Sequence, residues 1–144
     1  EHLRGYVTAF RDFTRAVKWQ PILIETRLTH PQWQFTGQPD AVGWIRCDRM
    51  LIDLKTSAAV MSGPALLQLS AYAELYRITW PTEPLSGVGI LQLTPNGRFK
   101  LSRCDAGAIA RAWPVFLAAL ARLQGTASPT QMTALDAWVR RYPS

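Results

Sequence analysis

The chain has 144 residues, 48% of them apolar, a formal charge of +6 and a pI near 9.9. That is enough for one domain with a real core, and the absence of repeats or low-complexity tracts excludes fibrous and disordered classes. No stretch reads as a membrane span and nothing resembles a signal peptide, so the expectation is a cytoplasmic protein with no membrane partner. The chain opens on Glu1 rather than Met, and reads as a fragment with upstream residues missing. Arg supplies most of the positive charge, with Lys only at Lys18, Lys55 and Lys100. A basic balance suits a polyanion such as DNA, and Arg is the better fork for phosphate oxygens. Cys47 and Cys104 have neither CxxC spacing nor a His pattern, which argues against zinc; they read as buried free thiols in a reducing compartment.

In chain order, residues 2–17 predict an amphipathic helix. Leu3, Tyr6, Val7, Phe10, Phe13 and Val17 form one apolar stripe, and Arg4, Arg11 and Arg15 share another face as candidate phosphate contacts. Residues 22–28 read as a strand with Glu25 in its middle, and Thr29 to Pro31 as a turn in which His30 is a loop residue. Residues 34–37 and 41–46 are strand-like, Asp48-Arg49 reads as a hairpin turn, and residues 50–56 as its apolar return strand. A loop over 57–62 leads to a helix from Gly63-Pro64 to about Ile78. Gly87 to Leu93 and Arg98 to Ser102 flank the hairpin signal Asn96-Gly97. Asp105 can cap a long helix reaching Gln124, with a kink expected at Pro114. Residues 125–128 read as a linker and 130–141 as a short final helix, so the domain core is expected over 1–124 and an appendage over 125–144. The expected fold is α/β, a mixed sheet flanked by helices in the order α-β-β-β-α-β-β-α.

The chemistry concentrates in Gly37-Gln38-Pro39-Asp40, then Asp53-Leu54-Lys55-Thr56, then Gln68 and Tyr72. On a strand, Asp53 and Lys55 point to one face while Leu54 points the other way, into the core. A carboxylate and an ammonium on an otherwise apolar strand cost free energy unless they are paired or bind a metal. Asp40 can reach the same site from the neighbouring strand, and two carboxylates suit Mg²⁺ or Mn²⁺. Gln68 and Tyr72, four apart on a helix, share a face from which they can hold phosphate or stack on a base. Glu25 is a further acidic candidate. Trp44, Trp80, Trp113 and Trp138 read as packing residues, with Trp33, near the Gly37–Asp40 turn, the exception that could meet DNA.

These pieces in this order resemble the PD-(D/E)XK nuclease superfamily, and within it the RecB-like exonucleases, best over residues 1–80 and loosely to 124. The family pattern falls on Glu25, on Gly37 to Asp40, on Asp53 to Lys55, and on Gln68 and Tyr72. The resemblance implies a restriction-endonuclease-like fold and a Mg²⁺- or Mn²⁺-dependent deoxyribonuclease, acting as an exonuclease on linear or single-stranded DNA ends. It implies metal binding by Asp40, Asp53 and the Leu54 carbonyl, with Glu25 as the candidate for a further ligand. With Asp40 and Asp53, Lys55 would be catalytic, and Gln68 and Tyr72 the helix motif; from the residues themselves, Arg4, Arg11, Arg15, Trp33, Thr56 and Tyr72 are candidate DNA contacts. The cysteines that hold an iron–sulfur cluster in some relatives are absent, so no cluster is expected. The alternative is a nucleic-acid-binding or interaction module on the same fold, with catalysis weak or lost.

Overall fold

The computed structural model describes residues 2–57 and 61–143. Helix α1 (His2–Val17) leads into β1 (Gln20–Ile24), then the short strands β2 (Leu28–Thr29) and β3 (Thr36–Gly37), then the hairpin β4 (Ala41–Ile45) and β5 (Asp48–Lys55). Helix α2 (Gly63–Thr79), strands β6 (Gly87–Leu93) and β7 (Phe99–Arg103), and helices α3 (Ala106–Leu123) and α4 (Pro129–Arg141) complete the chain. Of the loop predicted over 57–62, residues 58–60 lie outside the described residues.

Five strands form one mixed sheet in the order β1-β4-β5-β6-β7. Only β5 and β6 run parallel, as the α2 crossover between them requires. The mixed sheet flanked by helices is thus what the sequence predicts. The element order departs from the predicted one, because two short strands, β2 and β3, come between β1 and β4 and pair with each other in a sheet of their own. Strand β1 ends at Ile24, and Leu28–Thr29 turns away to pair with Thr36–Gly37 in a separate two-stranded ribbon. The break falls at Glu25, whose φ of 45° is left-handed and cannot continue a strand. Glu25 is therefore not a mid-strand residue.

The hairpin turn also moves. Ile45 pairs with Asp48, so the two turn residues are Arg46 and Cys47, with Arg46 at φ 58°. Asp48 and Arg49 belong to β5 instead, where their side chains reach Arg103 and Glu83. Cys47, at the turn, is exposed rather than buried. Cys104 is half-buried against Met61, and burial pushes its thiol up to about 11, away from thiolate reactivity.

The sheet has two covered faces. Met50 and Ile52 of β5 pack with Ala9 and Phe13 of α1 on one side. Leu51, the residue between them, packs with Ala65, Leu69 and Tyr76 of α2 on the other. This alternation fixes the facing of the next residues along β5. Helix α3 runs unbroken through Pro114 and packs on α2, and α4 closes over both through Leu135, Met132 and Trp138. By length and composition alone α3 could cross a membrane, an exception to the sequence reading that no stretch could. In this fold it buries Ala112, Val115 and Ala118 and carries Arg111 and Arg122.

His30, expected in an open loop, is 2% exposed. Its ring stacks on Phe35 and Trp113, with centroids 5.4 and 6.1 Å away. Its Nδ1 accepts the backbone N–H groups of Gln32 and Trp33. The imidazole therefore pins the β2–β3 connection onto α3. Replacing His30 by Ala removes a packed ring and strands two N–H groups, an expected loss of about 3 kcal/mol. Urea unfolding at pH 7 measures it.

Candidate active site

The alternation along β5 puts Asp53 and Lys55 on the α2 face, beyond Leu51. Asp53 is 5% exposed, and Lys55 Nζ lies 3.0 Å from its Oδ2. The contact is a charge pair, and Oδ2 is a buried oxygen to which no donor is aligned as a hydrogen bond. Leu54 lies on the opposite face as expected, but past the end of the core: it is 39% exposed, not buried. It sits beside Phe10 and Ile24 at the margin of α1.

Asp40 enters from the neighbouring chain segment. Ala41 pairs with Ile52, which sets Asp40 just beyond the last β4–β5 rung. Its Oδ2 accepts the Leu54 N–H at 2.7 Å, a tight charge-assisted bond. In a strand a residue's N–H and C=O leave toward the same edge, so the Leu54 carbonyl also leaves on the side from which Asp40 enters. The Asp40 carboxylate also lies near enough to Asp53 to act on its charge. Burial, and then this neighbouring carboxylate, hold the Asp53 carboxyl above the usual carboxylate range, against the pull of Lys55.

Helix α2 brings the remaining pair. Ser62 caps it, accepting the Ala65 N–H, and Pro64 sits in its first turn. Gln68 Nε2 donates to the Tyr72 hydroxyl at 2.9 Å. That bond occupies the hydroxyl's acceptor side and leaves its proton free to be donated. Burial, with Asp53 and Asp40 nearby, raises the Tyr72 pKa, so the phenol stays protonated. Gly37 explains the glycine before Asp40: a Cβ there would come within 2.8 Å of the Tyr72 ring and of Leu75. A Gly37→Val chain is expected to lose about 1–3 kcal/mol of stability and to displace Tyr72, readable by thermal melts and by Tyr fluorescence.

The structure thus brings together Asp40, Asp53, Lys55, Gln68 and Tyr72. It does not bring Glu25 among them. Glu25 is exposed just past β1, joined to Asp40 by its backbone N–H and sharing with it a hollow on the α1 side. Among the described residues no three His, Cys, Asp or Glu side chains converge. Arg4, Arg11 and Arg15 are exposed on α1, whose buried face covers the other side of the sheet. Thr56 is exposed after β5, and Trp33 is 40% exposed on the β2–β3 connection. Trp113 packs as expected, on His30 and Phe116, as do Trp80 on Tyr76 and Trp138 on Tyr142, while Trp44 lies under the Arg49 guanidinium.

Sequence reasoning missed Phe35 and Phe116, which line a cleft beside Lys55, Gln68 and Tyr72. Neither sits in a periodic motif; only the ribbon's departure from the main sheet puts them together, so no local signal could have flagged them.

The donor set can be tested against a divalent cation. Mg²⁺ takes oxygen ligands, commonly one or two carboxylates, and leaves its other positions to water and substrate phosphate. The Asp40 carboxylate, the buried Asp53 oxygen and the Leu54 carbonyl fit that demand without a third acid. The chain matches no protein-family model, and no curated protein matches it in sequence.

Proposed function

We infer that this chain is a metal-dependent DNA nuclease core of the PD-(D/E)XK type, hydrolysing phosphodiesters and acting on strand ends. The observation that supports it most is the buried Asp53 carboxylate, with one oxygen lacking an aligned donor, beside the Asp40 carboxylate and Lys55. Two acids placed together at a cost, with their excess negative charge facing one another, make sense as ligands of a cation.

In this reading Asp40, Asp53 and the Leu54 carbonyl hold Mg²⁺ or Mn²⁺. What the ion supplies when bound is polarisation of the scissile phosphate and a lowered pKa for an attacking water. The chain's own groups do the rest. Lys55, a third exposed at its side chain, orients the water and stabilises charge building on the phosphate oxygens. Asp53 keeps that ammonium in place. Tyr72, held by Gln68, donates its free hydroxyl proton to a neighbouring phosphate oxygen. The surplus of Arg, including Arg4, Arg11 and Arg15, supplies the long-range attraction for the polyanion.

The test is labelled linear and circular DNA incubated with Mg²⁺ or Mn²⁺, wild type beside Lys55→Ala. Degradation of linear DNA only, slowed about a hundredfold or more in Lys55→Ala, is the expected result. Cutting of circles would make the chain an endonuclease. No metal-dependent cleavage by the wild type would remove the nuclease reading.

A further inference from the structure

The cleft beside the site encloses about 690 Å³, within the range of sites that hold a small ligand. Helix α2 forms one wall with Tyr72, α3 another with Phe116 and Ala119, and the β2–β3 segment a third with Phe35 and Thr36. Lys55 and Gln68 also line it, so the cleft reaches the candidate site at Lys55, Gln68 and Tyr72.

The character of these walls identifies the occupant. Away from Lys55, Gln68 and Tyr72 the cleft is mainly apolar and aromatic. Phe35 and Phe116 lie 5.0 Å apart, centroid to centroid, and Phe116 is backed by Trp113 at 5.7 Å. Phe35 is held in turn by the stacked, buried His30. These rings are fixed before any ligand arrives, so little ordering entropy is lost on binding. A phosphate and sugar would leave such walls unused, whereas the flat apolar face of a nucleobase matches them. A base within a duplex is sealed in its stack and cannot enter a cleft of this kind.

We propose that this cleft is a nucleobase slot, which takes one unstacked base of a single DNA strand next to the phosphate held at Lys55. The slot rests on the nuclease reading for the position of that phosphate. It narrows that reading: the strand must be unpaired where it is cut. Phe35 and Phe116 then become binding residues, and His30 a positioning residue acting through Phe35.

Single-stranded oligonucleotides carrying one abasic site, moved base by base from the end, test this directly. Their Kd is read by fluorescence anisotropy in EDTA, where nothing is hydrolysed, and their cleavage rate separately in Mg²⁺. One position should weaken binding about tenfold or more, the size of one base stacked on an aromatic. Ala119→Phe fills the slot and should weaken binding of the intact strand by a similar factor, yet leave the strand abasic at that position unaffected. Phe116→Leu keeps the apolar volume but removes the aromatic face, and should act in the same direction. A flat abasic scan, or unchanged binding by a folded Ala119→Phe chain, overturns the slot. Cleavage with a flat scan removes the slot and keeps the nuclease. A step in the scan without cleavage keeps the slot and removes the nuclease. A wild type that neither binds nor cuts removes both.

Discussion

Asp53→Asn is expected to melt at a higher temperature than the wild type in EDTA at pH 7, while losing more than about a thousandfold in DNA cleavage. The two effects come from one feature. Asp53 is 5% exposed, and its Oδ2 has no aligned donor. Leaving such a group buried and unsatisfied costs about 1–3 kcal/mol, more when it is charged. Asn removes the charge, and with it the repulsion from Asp40. Lys55 loses its partner, but its side chain is a third exposed and water can solvate it. A net gain of about 1 kcal/mol, roughly 3–4 °C in a chain of this size, is expected. A wild type more stable than Asp53→Asn in EDTA would show that the Lys55 pair outweighs the buried charge.

The pH dependence fixes the sign independently. Burial raises the Asp53 carboxyl above its ordinary value in the folded chain. Such a group favours the folded state while protonated, fully at pH values below the unfolded carboxyl's ordinary value, and loses that contribution as pH rises through the raised native value. The melting-temperature advantage of Asp53→Asn should therefore be smallest in acid and should grow toward pH 7. Mg²⁺ or Mn²⁺ should act oppositely. A ligand that binds only the folded wild type adds about 2.7 kcal/mol at a hundred times its Kd, which would reverse the order of the two chains. Calorimetric melts across pH, with and without metal, separate the terms.

The candidate site was more legible in the sequence than the fold around it, for a physical reason. Asp53 and Lys55 were placed on one face by the two-residue period of a strand, which holds wherever the strand begins. Gln68 and Tyr72 met through helix spacing, equally local. The errors fell where backbone geometry is set by packing at a distance. Ile22 to Leu28 has the composition of one strand, yet the left-handed Glu25 breaks it. Arg46 and Cys47 make the turn although Asp48 has better turn chemistry, since the pairing of Ile45 with Asp48 fixes the register. Leu54 looked like a core residue because period two cannot say where a sheet's cover ends; here it ends at Ile52. His30 gave no local sign of burial, because Phe35 and Trp113, which enclose it, come from a ribbon and a helix far apart in the chain.

Asp40→Asn should lose cleavage by about a thousandfold with little loss of stability, whereas Asp40→Ala should lose the same activity and fold less stably than Asp40→Asn. On the nuclease reading the carboxylate does two jobs that this pair pulls apart. Its Oδ2 accepts the Leu54 N–H, which holds the end of β5 where the ladder with β4 has already stopped. An Asn oxygen can accept the same bond, and Ala cannot. The difference should be small, roughly 0.5–1 kcal/mol, because Leu54 is 39% exposed and water can take over the orphaned N–H. The negative charge is the other job, and both variants lack it. Asp40→Asn also relieves the carboxylate that raises the Asp53 pKa, so the Asp53 carboxyl should titrate lower in this variant. If Asp40 served only to pin β5, Asp40→Asn would cleave DNA at the wild-type rate. If it acts as a ligand, cleavage falls equally in both variants while stability does not, and metal affinity measured by calorimetry falls with the cleavage.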